Sequence, residues 1–105
     1  MDITKRCIPC QGGVPKLNFK ESTNFLKKVD SSWYIEEEKL IREFKFNDYS
    51  KSLAFSMDVA KLADSEGHHP YIHINFKIVK IILFTHKIGG LHENDFLMAA
   101  KIDQI

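Results

Sequence analysis

Apolar residues alternate along the stretch from Tyr71 to Thr85, but their parity changes partway. Ile72, Ile74 and Phe76 fall on one set of positions, Val79, Ile81 and Leu83 on the other. A strand sends successive side chains to opposite faces, so a single buried face requires an unbroken two-residue period. The slip near Lys77-Ile78 therefore demands either a tight hairpin or a bulge. Both readings commit this part of the chain to β structure and limit the rest to elements that can cover a sheet.

Those elements are helices. Asn18 reads as an N-cap with Glu21 as its capping-box partner, and Phe19, Phe25, Leu26 and Val29 supply the apolar stripe of a first helix ending near Asp30-Ser31-Ser32. Trp33–Glu36 and Leu40–Phe46 read as the strands of a hairpin. In the second strand Leu40, Arg42, Phe44 and Phe46 share one face, and Ile41, Glu43 and Lys45 the other. The connection Glu37-Glu38-Lys39 lacks the usual turn residues, which leaves the register open. Asn47 is the expected cap of a second helix that runs to about Glu66 and stops at Gly67. Its wheel has two apolar faces, Tyr49, Leu53, Met57 and Ala60 on one and Phe55, Val59 and Leu62 on the other, with Ser52, Ser56 and Ala63 between. That arc exceeds the ~100° stripe that covering one sheet requires. The helix is either sunk in its own core or packed also against a partner subunit, and the spare face favours the partner, as a homodimer or homotetramer. Ile88-Gly89-Gly90 turns the chain into a last helix starting near His92, with Phe96, Ala99, Ala100 and Ile102 for packing. The expected architecture is α+β: a single domain in the order α-β-β-α-β-β-α, a four-stranded antiparallel sheet with three helices on one face.

Length fits that plan, since 105 residues suffice for one core. Residues 1–17 read as a Gly/Pro-punctuated arm and residues 18–105 as the domain. The formal net charge is +1 with both signs interspersed, which argues against direct nucleic-acid binding. No apolar run approaches the roughly 20 residues that span a bilayer, and the start of the chain lacks a secretory stretch. A cytoplasmic location is the expectation. The two cysteines, Cys7 and Cys10, form a Cys-x-x-Cys pair with no second pair to complete a zinc site. Structural or incidental thiols are the simpler reading; a zinc shared across an oligomer interface is the sharper one.

The chemistry concentrates in histidines. His68 and His69 sit where the second helix hands over to a strand, and His86 follows the next strand pair. Asp64 lies one helical turn before His68, and Asp95 lies in the first turn of the last helix. If Tyr71–Thr85 is a hairpin, it returns His86 beside His68 and His69; a bulge would not. An imidazole titrates near pH 6.5, so such a cluster supplies a proton donor and a proton acceptor at neutral pH. Three histidines and a carboxylate also fit a metal site, and spacing alone does not separate the two readings. His73 and His92 look ordinary, one facing out of a strand and the other where an N-cap belongs.

The spacing Asp64-x3-His68-His69-Pro70-x5-Phe76-x9-His86-x8-Asp95 resembles the signature of the pterin-4a-carbinolamine dehydratases. Lys39-Leu40-x-Arg42-x-Phe44-x-Phe46, Leu53-Ala54-Phe55 and Val59-Ala60-x-Leu62-Ala63 are similar to the family's strand-to-helix segment. Thr85-His86-x-x-Gly89-Gly90-Leu91, Asp95-Phe96 and Ala99-Ala100-x-Ile102-Asp103 resemble its carboxyl-terminal half, and Cys7-x-Pro9-Cys10-x-Gly12-Gly13-Val14-Pro15 resembles an arm found on one branch. The sequence departs at His92, where a threonine or similar cap is usual, and at Tyr71-Ile72, which replace an acidic-aromatic pair. The second departure removes an aromatic wall from the expected pterin pocket.

The resemblance implies a hydro-lyase that removes water from 4a-hydroxytetrahydropterin to give the quinonoid dihydropterin, as in tetrahydrobiopterin recycling. One general acid and one general base suffice for that reaction, so no cofactor and no metal are implied. By the same resemblance His68 and His86 form the acid/base pair and His69 chiefly holds the substrate. Pro70 and Thr85 border the pocket, Asp64 orients or charges an imidazole, and Asp95 contacts the pterin or a histidine. The alternative is an oligomeric binding module, a dimerisation cofactor for a transcription factor, which would use Leu53, Phe55, Met57 and Val59 instead of the histidines.

Overall fold

A computed structural model describes residues 1–8 and 14–105; Cys10, and with it the Cys-x-x-Cys pair, lies outside the described residues. The elements are α1 (Phe19–Leu26), β1 (Tyr34–Glu36), β2 (Lys39–Lys45), α2 (Tyr49–Glu66), β3 (Tyr71–Asn75), β4 (Ile78–Leu83), a short 3-10 turn (His86–Ile88) and α3 (Glu93–Ile102). The four strands form one antiparallel sheet in the order β1-β2-β4-β3. This is the α-β-β-α-β-β-α fold expected from the sequence.

The phase slip is a hairpin. Asn75 pairs with Ile78, leaving only Phe76 and Lys77 in the loop, and Phe76 adopts a φ of 51° to close it. The first hairpin is equally tight, with Glu36 opposite Lys39. Glu37 and Glu38 both have positive φ, 50° and 61°, the left-handed conformation that two-residue hairpins need and that Asn-Gly ordinarily supplies. Strand pairing on either side imposes it on residues that do not favour it.

One sheet face is covered. Leu40, Val79, Ile81 and Leu83 are buried on it against Phe55, Val59 and Ala63 of α2 and Phe96, Ala99 and Ile102 of α3, with Phe44 and Ile72 packed at the margin. Burying each large apolar side chain contributes about 1.5–3 kcal/mol, so this layer dominates the domain's stability. The opposite face carries Tyr71, His73, Lys80 and Glu43, none of them buried.

Helix α2 begins one residue later than expected. Asp48, not Asn47, is its N-cap, accepting the Lys51 N–H at 2.8 Å. The reason lies in the preceding strand: the Phe46 N–H still bonds Lys77 O at 2.8 Å, so the chain stays extended past Phe46. The helix ends at Gly67, whose φ of 68° reverses the backbone. Of its two apolar faces, Phe55 and Val59 are buried, whereas Tyr49, Leu53 and Met57 are exposed, with the Tyr49 ring 6.4 Å from that of Phe76 in the second hairpin. Among the described residues no helix is long and apolar enough to cross a membrane.

Candidate functional site

The left-handed turn at Gly67 wraps the end of α2, letting the His68 N–H bond back to Ala63 O at 3.2 Å. His68 and His69 are thereby carried off the helix axis toward the end of β4. There the chain makes a closed loop: Thr85 and Gly90 exchange backbone hydrogen bonds of 3.0 and 3.4 Å, and Gly89 supplies the positive φ of 64° inside it. Gly90 has a separate constraint, since a Cβ there would lie 2.7 Å from Lys16 Cδ. His86 rides on this loop and faces His68 and His69 across a cleft of about 320 Å³, lined by Ile8, Gly67, His68, His69, Phe84, Thr85, His86 and Lys87.

Behind the cleft stands Asp95, with no exposed surface. Its Oδ1 lies 2.6 Å from His68 Nε2. Its Oδ2 accepts the Thr85 hydroxyl at 2.8 Å and the His92 N–H at 2.9 Å. A buried carboxylate is tolerable only when its lone pairs are used, and here three donors use them. The His92 contact is half of a capping box: His92 Nδ1 accepts the Asn94 N–H at 3.0 Å. Histidine thus fills the cap that a smaller residue would usually supply.

His86 is held differently. Its Nε2 lies 3.1 Å from the Tyr71 hydroxyl, and Phe84 meets its ring edge-on at 4.8 Å. Lys39 stacks over Phe84 from β2 at 5.2 Å.

The arm completes one wall. Lys5 pairs with Glu93 at 2.9 Å, Arg6 donates to Ser65 O at 2.6 Å, and the Cys7 N–H donates to Glu66 at 2.8 Å. The Asn94 amide then grips the Ile8 backbone at both ends, accepting its N–H at 3.1 Å and donating to its carbonyl at 2.5 Å. The Cys7 N–H holds the Glu66 carboxyl below its ordinary range, and Lys101, 3.2 Å away, acts in the same direction. Burial, together with the Glu66 charge, pushes the Cys7 thiol up to about 12.

Of the residues expected from the sequence, the structure brings His68, His69, His86 and Thr85 to the cleft, with Asp95 directly behind them. Asp64 is exposed and makes no hydrogen bond or ion pair with His68 among the described residues. Pro70 is half-buried but does not line the cleft. Ile72 packs against the core, and Phe84 is the aromatic that lines this cleft. Sequence reasoning missed Phe84, Lys87, Tyr71 and Ile8. Parity could have found the first, because Phe84 continues the face that His86 occupies, whereas nothing in the arm marks Ile8. Among the described residues no group of three or more His, Cys, Asp or Glu is placed to hold a metal ion. A larger hollow of about 470 Å³ lies between α1 and β1, but its walls are mostly apolar and its one ionisable acid, Glu38, is paired with Lys16. The three histidines line the smaller cleft and none lines this hollow.

Known proteins agree on the family. The model for "Pterin 4 alpha carbinolamine dehydratase" matches residues 15–105. A Methylococcus capsulatus protein with the provisional name pterin-4-alpha-carbinolamine dehydratase is 44% identical, covering 96% of this chain and 90% of its own. One from Rickettsia canadensis, similarly named, is 42% identical, covering 94% and 92%. A crystal structure described as a transcriptional coactivator/pterin dehydratase from Brucella melitensis superposes with a TM-score of 0.79 at 31% identity, covering 85% of this chain and 96% of that one. The chain belongs to the pterin-4-alpha-carbinolamine dehydratase family.

Proposed function

We propose that this chain dehydrates 4a-hydroxytetrahydropterin to the quinonoid dihydropterin, the step that returns a tetrahydrobiopterin-type cofactor to its recycling route. The observation that carries this reading is the convergence of His68, His69 and His86 on one cleft. The C4a–O bond breaks as its hydroxyl gains a proton and leaves as water; N5 loses a proton as the C4a=N5 bond forms. His68 suits the base. Asp95 engages Nε2, which leaves Nδ1 to accept the N5 proton, and the carboxylate stabilises the imidazolium that results. His86 is then the acid, as the other imidazole of the pair across the cleft. His69 holds the substrate, and Thr85 and Asp95 act on His68 from behind. Residues 18–105 form the catalytic domain, and Ile8 of the arm supplies part of a wall.

The test follows dehydration of chemically prepared 4a-hydroxytetrahydropterin by ultraviolet absorbance with wild type, His68→Ala and buffer. Acceleration by wild type that His68→Ala loses supports the assignment. Folded wild type running at the buffer rate overturns it.

The exposed row of Tyr49, Leu53 and Met57 supports a homodimer or homotetramer built through α2. Sedimentation of wild type against Leu53→Glu tests this: a monomeric wild type removes the proposal. A second reading makes the chain a dimerisation cofactor for a transcription factor; of the residues it would use, Leu53 and Met57 are exposed while Phe55 and Val59 are buried in this chain's own core, and the Brucella relative is described as a transcriptional coactivator.

A further inference from the structure

Tyr71 lies on β3, opposite Ile82 of β4, on the uncovered face of the sheet. From there its ring reaches along the sheet to meet His86 edge-on, with centroids 5.8 Å apart, and its hydroxyl lies 3.1 Å from Nε2. Phe84 stands against the same imidazole at 4.8 Å and an interplanar angle of 90°. The imidazole is therefore flanked by two aromatic side chains, and only one of them has a polar atom. That atom meets Nε2.

Resting on the dehydratase reading, we propose that Tyr71 is the positioning residue for His86, holding Nε2 so that Nδ1 is the nitrogen that delivers the proton to the departing hydroxyl. The two protonation states lead to the same geometry. When His86 is charged, both ring nitrogens carry hydrogen; Nε2–H donates to the phenol oxygen and Nδ1–H remains for the substrate. When His86 is neutral, the phenol donates to Nε2, since an imidazole lone pair is the stronger acceptor, and the ring hydrogen resides on Nδ1. Only the charged ring acts as the acid: as its Nδ1–H proton passes to the 4a-hydroxyl, C4a–O cleaves and water leaves, the ring is left neutral with its hydrogen on Nε2, and solvent at the open cleft returns a proton to Nδ1. No co-reactant is needed. A sequence position that carried no recognised role, and that departs from the acidic residue usual after His-His-Pro, thus fixes which atom does the chemistry.

The test needs two readouts on wild type and Tyr71→Phe, which keeps the ring and removes the hydroxyl. In wild type, nitrogen NMR of neutral His86 shows the Nδ1–H tautomer; in Tyr71→Phe the Nε2–H form grows in. Steady-state dehydration shows kcat lower by about tenfold, less than the roughly 10²–10⁴-fold that a whole general acid contributes, because the acid stays and only its hold is lost, with KM changed less than about twofold. A His86 tautomer that is the same in both proteins, or an unchanged kcat, overturns the proposal. The tautomer measurement does not depend on turnover, so wild type without dehydratase activity would remove the catalytic reading while still reporting whether Tyr71 holds the ring.

Discussion

His68 and His86 line one cleft but are supported from opposite sides of the sheet. His68 leans on a carboxylate with no exposed surface, itself tied to Thr85 and the start of α3. His86 leans on a phenol that is 46% exposed, on the face the helices leave uncovered. A buried ionic support serves both fold and chemistry, because removing it strands donors inside the core. A surface support can serve chemistry alone. Stability and activity should therefore be coupled on the His68 side and separable on the His86 side.

Asp95→Asn should have the largest effect. An amide cannot accept from all three donors, so thermal unfolding should show a loss of about 2–3 kcal/mol, and turnover should fall by about a hundredfold or more as His68 loses its charged partner. If stability fell and turnover did not, Asp95 would be a structural carboxylate only. Thr85→Val sharpens the point by removing one donor without removing the charge. A cost of about 1 kcal/mol in stability with a smaller kinetic loss than Asp95→Asn is expected from denaturation and initial-rate measurements. Tyr71→Phe is the mirror case: an unfolding free energy unchanged within the scatter of a surface substitution, about 0.5 kcal/mol, alongside the tenfold drop in kcat. A coupled loss of stability there would break the contrast.

The arm should matter least. Glu66 has its folded pKa depressed by the Cys7 N–H and Lys101. Its contribution is therefore present above the unfolded glutamate value, about 4.3, and is lost as pH falls through the lower folded value. An NMR titration of the Ile8 amide should show one acid transition with its midpoint below that of a free glutamate, absent in Glu66→Gln. A transition at the free value would mean the arm is not held through Glu66.

The convergence of the histidines was legible because they are close to breaks in periodicity. Gly67 ends a helix and the slip at Lys77-Ile78 reverses a strand, which together imply that His68 and His86 meet. Asp64 shows the limit of that reasoning. A carboxylate one turn before His68 would face it only if the helix continued, and the left-handed turn at Gly67 ends it first. The Glu37-Glu38 turn was opaque for another reason: its conformation is imposed by pairing between strands and not by its own residues. Ile8 reaches the cleft through the Asn94 amide, a contact across 86 positions that leaves no local pattern.

The central claim, that the two imidazoles act in one transition state, is tested most directly by a double-mutant cycle on dehydration rate. His68→Ala, His86→Ala and the double variant would be compared after subtraction of the spontaneous rate. Each single variant should lose about 10²–10⁴-fold, and the double variant should lose little more than the slower single one, as groups working as a unit do. Losses that multiply, leaving a folded double variant with no rate above buffer while both singles retain one, would mean that the two histidines act independently and would contradict the account.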